Sequence, residues 1–113
     1  MAKYLFICTA NIQRSKTAEH HFQIAYPQHQ FQSAGLNQRI CEQYGITLVN
    51  VEMLAWADRI WVMEQRHLAR IKEHTQDQFL HKITVLHIED IYPYNSPELI
   101  RVLEQKMGVE LLY

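Results

Sequence analysis

Residues 4–15 read Tyr-Leu-Phe-Ile-Cys-Thr-Ala-Asn-Ile-Gln-Arg-Ser, an apolar run that passes into a short polar stretch. A continuous apolar run such as 4–8 is typical of a parallel strand that is covered on both faces. The apolar residues Ala18, Phe22 and Ala25 then recur at helical spacing, and Pro27 blocks continuation of the helix. The stretch therefore predicts a buried strand, a loop and a helix, which is how an α/β fold begins.

The same order of segments recurs along the rest of the chain. Further strands are predicted at 30–34, 60–63 and 83–88, and further helices at 51–57, at 66–74 and from Pro97 to a stop at Gly108. The segment 36–50 shows no clear period, and we interpret it as a loop. The sequence predicts one domain over residues 1–113, with a four-stranded parallel sheet and helices on both faces.

Composition and charge exclude several classes of protein. The 113 residues are 48% hydrophobic and carry a formal net charge of -1, so no global positive field exists to hold nucleic acid or an anionic membrane. No stretch approaches the ~18 apolar residues that span a bilayer. Two cysteines are too few for a stapled secreted scaffold, and we expect a reducing, cytoplasmic setting. The adjacent His20 and His21 point apart on a helix, so we expect no metal site. We also expect no organic cofactor.

Cys8 and Arg14 are separated by five residues at the junction of the first strand and the first helix. A loop of this size can curl so that its N–H groups surround an oxyanion at the positive end of the helix, while arginine grips two of the oxygens. The same surroundings favour the nucleophilic thiolate form of cysteine, and Ser15 is placed to hydrogen-bond the sulfur. Strand carboxyl ends share one edge of a parallel sheet, so Asp90, with Glu89 as the alternative acid, is expected there too.

The segment Cys8 to Ser15 resembles the signature loop of the low-molecular-weight protein tyrosine phosphatases. The residues Ala18-Glu19 and Ser33-Ala34-Gly35 also match the family, the segment 57–64 resembles its third strand, and 87–92 resembles its general-acid loop. The resemblance is specific over 4–35, moderate over 57–72 and 83–108, and poor over 36–56. The chain looks closest to a compact bacterial branch of predicted tyrosine phosphatases.

The resemblance implies a role for each matching residue. Cys8 would attack phosphorus and become a phosphocysteine, and Asp90 would protonate the leaving phenolate before activating water. Asn11 would brace the loop, Ser15 would steady the thiolate, and Ile12 with Tyr92 would flank the substrate ring. The equatorial phosphate oxygens would be held by the Arg14 side chain and by the backbone amides of Thr9, Ala10, Asn11, Ile12, Gln13 and Arg14.

Four positions depart from the family pattern. Ala10 stands where glycine is frequent, so the loop backbone is expected to be less free to adopt an unusual conformation. Gln13 stands where many members carry a second cysteine, and Lys16 and Ile91 stand where proline is common. None of these changes removes the expected nucleophile, arginine or acid.

The predicted activity is hydrolysis of phosphotyrosine on a protein, or of a small aryl phosphate, with release of inorganic phosphate. Two alternatives remain: an arsenate reductase on the same scaffold, with Cys41 as the one cysteine available for a thiol relay, and a phosphate-binding module without turnover. Cys41 is otherwise interpreted as a partly buried small hydrophobe. Two further interpretations concern larger side chains. Trp56 and Trp61 are expected to fill the core or an interface. A solvated basic cluster is expected from Arg59, Arg66, Arg70 and Lys72.

Overall fold

The first strand, β1 (Lys3–Cys8), lies inside a parallel sheet in the computed structural model, which describes residues 1–111. Its neighbours are β2 (Gln30–Gly35) and β3 (Arg59–Val62), and β4 (Ile83–Val85) completes the strand order β2-β1-β3-β4. Every strand pair is parallel. This arrangement confirms the predicted four-stranded parallel sheet.

Helices cover both faces of the sheet, as the alternation of side chains along β1 requires. They are α1 (Arg14–Ala25), α2 (Gln38–Tyr44), α3 (Val51–Trp56), α4 (Gln65–Thr75) and α5 (Pro97–Leu111). Phe6 and Cys8 lie in the core that is covered by α1 and α5, whereas Leu5 and Ile7 lie in the core that is covered by α3 and α4. Within residues 1–111, no helix has both the length and the apolar character needed to cross a membrane.

Helix α2 corrects the prediction of a loop over 36–50. Asn37 caps the helix, because its side chain accepts a hydrogen bond of 3.0 Å from the N–H of Ile40. Gly45 ends the helix in the left-handed conformation, with φ of 63°. The only residue that α2 buries is Cys41, so no apolar period marked this helix in the sequence.

Two boundaries differ from prediction by about three residues, and the others by about one. The strand β4 ends at Val85 rather than at residue 88, because His87 takes a φ of 57° that interrupts extended pairing. Helix α5 continues through Gly108 to Leu111, whose buried side chain offsets the low helix propensity of glycine. Trp61 is 2% exposed and lies in the core, so it serves no interface.

Gly35, the last residue of β2, leaves room for the loop that follows β1. A Cβ atom at this position would lie 2.9 Å from Thr9 O, from the carbonyl carbon of Ala10 and from Sγ of Cys41. Two of these neighbours are backbone atoms, which cannot rotate away. The absence of a side chain at residue 35 therefore allows the loop to pass directly over the end of β2.

We expect Gly35→Ala to lower the free energy of unfolding by about 2 kcal/mol, because the loop backbone must shift. Gly108→Ala is the matched control, since its closest neighbour is a flexible carboxylate oxygen of Glu104, at 3.2 Å. Removing a helical glycine there should leave stability unchanged or raise it by up to about 1 kcal/mol. Urea unfolding measures both variants, and equal stabilities would contradict the close passage of the loop over Gly35.

Candidate active site

The loop after β1, residues 9–13, lies at the carboxyl edge of the sheet. Because β2 and β3 flank β1 on opposite sides, the chain leaves β1 at the point where the strand order reverses. Open α/β sheets bind their ligands in the crevice at such a point. The fold thus places residues 8–14 where a small ligand is expected.

The sulfur of Cys8 has one polar neighbour in the loop and another in the first turn of α1. It accepts a hydrogen bond of 3.2 Å from the backbone N–H of Asn11 and lies 3.0 Å from Oγ of Ser15. The Ser15 hydroxyl also lies 2.7 Å from Oδ1 of Asn11. One hydroxyl proton serves either the amide oxygen or the sulfur, so Ser15 can turn to a thiolate when one forms.

Asn11 is the strained residue of the loop. It is fully buried with a φ of 54°, a conformation that asparagine tolerates better than most residues. Its side-chain amide donates to the carbonyl of Ser33 at 3.5 Å and its side-chain oxygen accepts from Ser15. The positive φ belongs to Asn11 and not to Ala10, so an alanine at residue 10 does not oppose the turn.

Most backbone donors of the loop are unused. The N–H groups of five residues make no hydrogen bond to any other residue between 1 and 111: Thr9, Ala10, Ile12, Gln13 and Arg14. They adjoin the start of α1, where orphan N–H groups and the helix dipole together favour an anion. The loop thus carries the donors that an oxyanion requires, close to the Cys8 sulfur.

Arg14 connects three segments of the chain, although its side chain is only 2% exposed. One terminal nitrogen donates to Oε2 of Glu64 at 2.5 Å and to the carbonyl of Ile88 at 2.7 Å. Its Nε lies 3.7 Å from Oδ1 of Asp90, whose side chain is 52% exposed. The structure therefore brings Arg14 and Asp90 together at the mouth of the site. Glu89, the alternative acid, is exposed and makes no such contact within residues 1–111.

Glu64 is a site residue that the sequence placed only at the end of the third strand. Its carboxylate accepts hydrogen bonds from Arg14 and, at 2.9 Å, from Arg66. The bond from Arg66, followed by the bond and charge of Arg14, lowers the pKa of Glu64 to about 2. Glu64 is therefore ionised at neutral pH and holds the guanidinium of Arg14 in place.

His67 is a second residue that the sequence did not single out. Its Nδ1 accepts from the backbone N–H of Glu64 at 3.0 Å, so the ring proton resides on Nε2 and is donated to Oγ1 of Thr9, also at 3.0 Å. Burial, then the charges of Arg14 and Arg66, lower the pKa of His67 to about 4. Glu64 and His67 form a capping box at the start of α4. Their spacing of three residues was the one feature of the sequence that could have pointed to this pair.

The predicted substrate-flanking residues lie on two segments that border Arg14. Ile12 belongs to the loop and is 37% exposed, while Tyr92 follows Asp90 by two residues and packs against the core beneath α1. Gln13 is exposed beside Ile12. Of these side chains, Ile12 is thus the apolar one that reaches solvent from the loop.

The remaining polar candidates have partners of their own. Cys41 is fully buried, with Sγ 3.9 Å from the carbonyl of Ala10, and its burial, then the nearby Cys8, raises the pKa of its thiol. His20 hydrogen-bonds Tyr94, and His21 pairs with the carboxylate of Glu104. Across the described part of the chain, no three His, Cys, Asp or Glu side chains form a metal-holding group.

The low pKa of His67 makes stability depend on pH. An unfolded histidine binds a proton below about pH 6.5, whereas folded His67 binds it only below about pH 4. The free energy of unfolding should therefore decrease as the pH is lowered from about 6.5 to about 4, with a slope that corresponds to the uptake of about one proton on unfolding. His67→Gln should remove this part of the slope, as measured by urea unfolding at pH 7, 5.5 and 4.5. Parallel pH profiles for the two proteins would contradict a buried neutral His67.

Comparisons with known proteins agree on the architecture. No protein-family model matches the chain, and no curated protein matches its sequence. Among solved structures, the tyrosine phosphatase AmsI of Erwinia amylovora matches with a TM-score of 0.78 at 23% identity, over 100% of this chain and 95% of that one. The tyrosine phosphatase Wzb of Escherichia coli K30, in complex with phosphate, matches with a TM-score of 0.75 at 23% identity, over 99% and 98% of the two chains.

A protein named for a different activity shares this fold. The YwlE arginine phosphatase of Geobacillus stearothermophilus matches with a TM-score of 0.68 at 22% identity, over 99% of this chain and 96% of that one. These three matches span nearly the whole length of both chains in each comparison. The chain therefore has the fold of the low-molecular-weight tyrosine phosphatases.

Proposed function

We propose that this protein hydrolyses aryl phosphate monoesters, in particular phosphotyrosine, through a phosphocysteine formed on Cys8. The observation that carries the proposal is the placement of the Cys8 sulfur in a loop with five unused backbone donors, next to the buried cation of Arg14. This arrangement suits a dianionic phosphate that must be bound before it is attacked. The similarity to structures named as phosphatases supports the same conclusion.

In the first step, the Cys8 thiolate attacks phosphorus as the bond from phosphorus to the leaving phenolate oxygen breaks. The loop N–H groups and Arg14 stabilise the negative charge on the three equatorial oxygens. Asp90, which is half-exposed at the mouth, gives its proton to the leaving oxygen. The products of this step are a phenol and a phosphocysteine.

In the second step, water attacks the phosphocysteine and Asp90 accepts a proton from that water. The sulfur–phosphorus bond breaks, inorganic phosphate forms and the thiolate returns. The Ser15 hydroxyl keeps its proton and donates a hydrogen bond to the departing thiolate sulfur, at the 3.0 Å separation described above. Since a free thiolate is needed in every cycle, the proposal places the protein in the reducing cytoplasm.

The rim of the loop favours an aromatic leaving group over a guanidinium. Ile12 offers an apolar surface that would pack on the phenyl ring of the substrate. Tyr92, on the segment after Asp90, offers an aromatic ring for the same purpose. A phosphorylated arginine carries a polar group at the same place, which gains little from an apolar rim. Phosphotyrosine is therefore the substrate that we propose over phosphoarginine.

The mechanism predicts graded losses of p-nitrophenyl phosphate hydrolysis. Cys8→Ser should abolish turnover, whereas Asp90→Asn should lower kcat by about 10²-fold or more with little change in KM. Glu89→Gln is the matched control and should stay within about twofold of the wild type, since Glu89 is a neighbouring carboxylate without contact to Arg14. Acid quenching followed by mass measurement should detect one phosphoryl group on the wild type and none on Cys8→Ser.

Two alternative activities give different results in the same assays. A wild type that binds phosphate but is inert towards p-nitrophenyl phosphate from acid to neutral pH would identify a phosphate-binding module. Thiol-dependent turnover of arsenate that is lost in Cys41→Ser would identify an arsenate reductase. Neither alternative predicts the loss of aryl phosphate hydrolysis in Asp90→Asn.

Substrate class is tested with phosphotyrosine and phosphoarginine peptides of the same flanking sequence. We expect kcat/KM to be at least tenfold higher for phosphotyrosine, and Ile12→Ala to raise KM for it by about fivefold through loss of apolar contact. Ile24→Ala removes an isoleucine that is 83% exposed on α1 and should leave KM unchanged. Faster hydrolysis of phosphoarginine would overturn the assignment of substrate.

A further inference from the structure

A hollow of about 390 Å³ adjoins the catalytic loop on the side of α2 and α4. Thr9 and His67 line the end that is next to the loop. The positive charge of the lining comes from the side chains of Arg39, Arg66 and Arg70. We call it the basic hollow. Its polar and charged lining residues contribute no carboxylate, although the chain as a whole carries more acidic than basic groups.

The positive charge of the basic hollow is only partly compensated. Arg66 donates to Glu64, which is shared with Arg14. Arg39 and Arg70 are exposed, and neither side chain makes a hydrogen bond or ion pair with the side chains and backbone that the structure describes. Two guanidinium groups are therefore available to an external anion, and each presents the planar donor pattern that fits a carboxylate.

Backbone hydrogen bonds connect the wall of the basic hollow to the loop 9–13. The N–H groups of Leu36 and Asn37 both donate to the carbonyl of Thr9 at 2.9 Å, which ties the turn before α2 to the catalytic loop. Arg39 lies two residues beyond this turn. Arg66 and Arg70 are one helical turn apart on α4, so their side chains extend from the same face of that helix.

Resting on the proposed function, we propose that the basic hollow binds acidic side chains that flank phosphotyrosine in a polypeptide substrate. A peptide whose phosphotyrosine enters the loop must run across the surrounding surface, and this hollow is a neighbouring depression with uncompensated positive charge. Aspartate or glutamate within a few residues of the phosphotyrosine would pair with Arg39 and Arg70. Because these arginines are exposed, the pairing should be sensitive to salt.

The test compares peptides that differ only in flanking charge. Each carries one phosphotyrosine with three glutamates or three glutamines, placed either before or after it. The protein variant is Arg39→Gln with Arg70→Gln, and the matched control is Arg101→Gln with Lys106→Gln, which removes the same charge from exposed positions on α5, across the sheet. Hydrolysis is measured as kcat/KM at 50 and 500 mM salt, and binding is measured by fluorescence anisotropy in the Cys8→Ser background.

For the wild type we expect one of the two glutamate peptides to exceed its glutamine counterpart by about fivefold in kcat/KM and in affinity. The ratio should fall to about one in the Arg39/Arg70 variant and at 500 mM salt, and it should persist in the control. p-Nitrophenyl phosphate, which has no flanking residues, should be hydrolysed equally by all three proteins.

Two results would overturn the proposal. One is equal binding of glutamate and glutamine peptides in both placements. The other is tighter binding of a single-stranded oligonucleotide than of any peptide, lost in the Arg39/Arg70 variant, which would assign the basic hollow to nucleic acid. Failure of the proposed function gives a different pattern, because p-nitrophenyl phosphate would then not be hydrolysed while the binding preference is measured independently.

Discussion

The buried guanidinium of Arg14 is the constraint around which the rest of the site is arranged. A charge that is removed from water must be paired and hydrogen-bonded, or it destabilises the fold. Here the carboxylate of Glu64, the carbonyl of Ile88 and the carboxylate of Asp90 meet that requirement. They come from the ends of three different segments, so satisfying one side chain also fixes how the loops after β1, β3 and β4 approach one another.

A second chain of contacts supports the first. Glu64 orients Arg14 through its side chain and His67 through its backbone N–H, and His67 in turn holds the hydroxyl of Thr9. Because Nδ1 of His67 is an acceptor, the imidazole must be neutral for the contact to Thr9 to keep its direction. The loop around Cys8 is thus held by groups whose protonation does not change near neutral pH.

The sequence predicted those parts of the molecule that depend on neighbours along the chain. The apolar run of β1, the start of α1 and the spacing of Cys8 and Arg14 are local. In the structure, β1 lies inside the sheet, and Cys8 and Arg14 lie at the carboxyl ends of its strands. Helix α2 was missed because its stability rests on the cap at Asn37 and the stop at Gly45 rather than on an apolar face. Glu64 and His67 were missed because their contacts to Arg14 and Thr9 join residues that are 50 and 58 positions apart, and no local pattern encodes such contacts.

The long reach of the Arg14 contacts bears on how the protein is made. Its hydrogen bond to Ile88 spans 74 positions, so a nascent chain that has released only β1 and α1 from the ribosome contains the cysteine without the partners that settle the arginine. In such a fragment, the Arg14 side chain has none of the three partners that fix its position in the complete fold. The arrangement of the loop around Cys8 can therefore be completed only after the chain has been synthesised as far as Ile88 and Asp90.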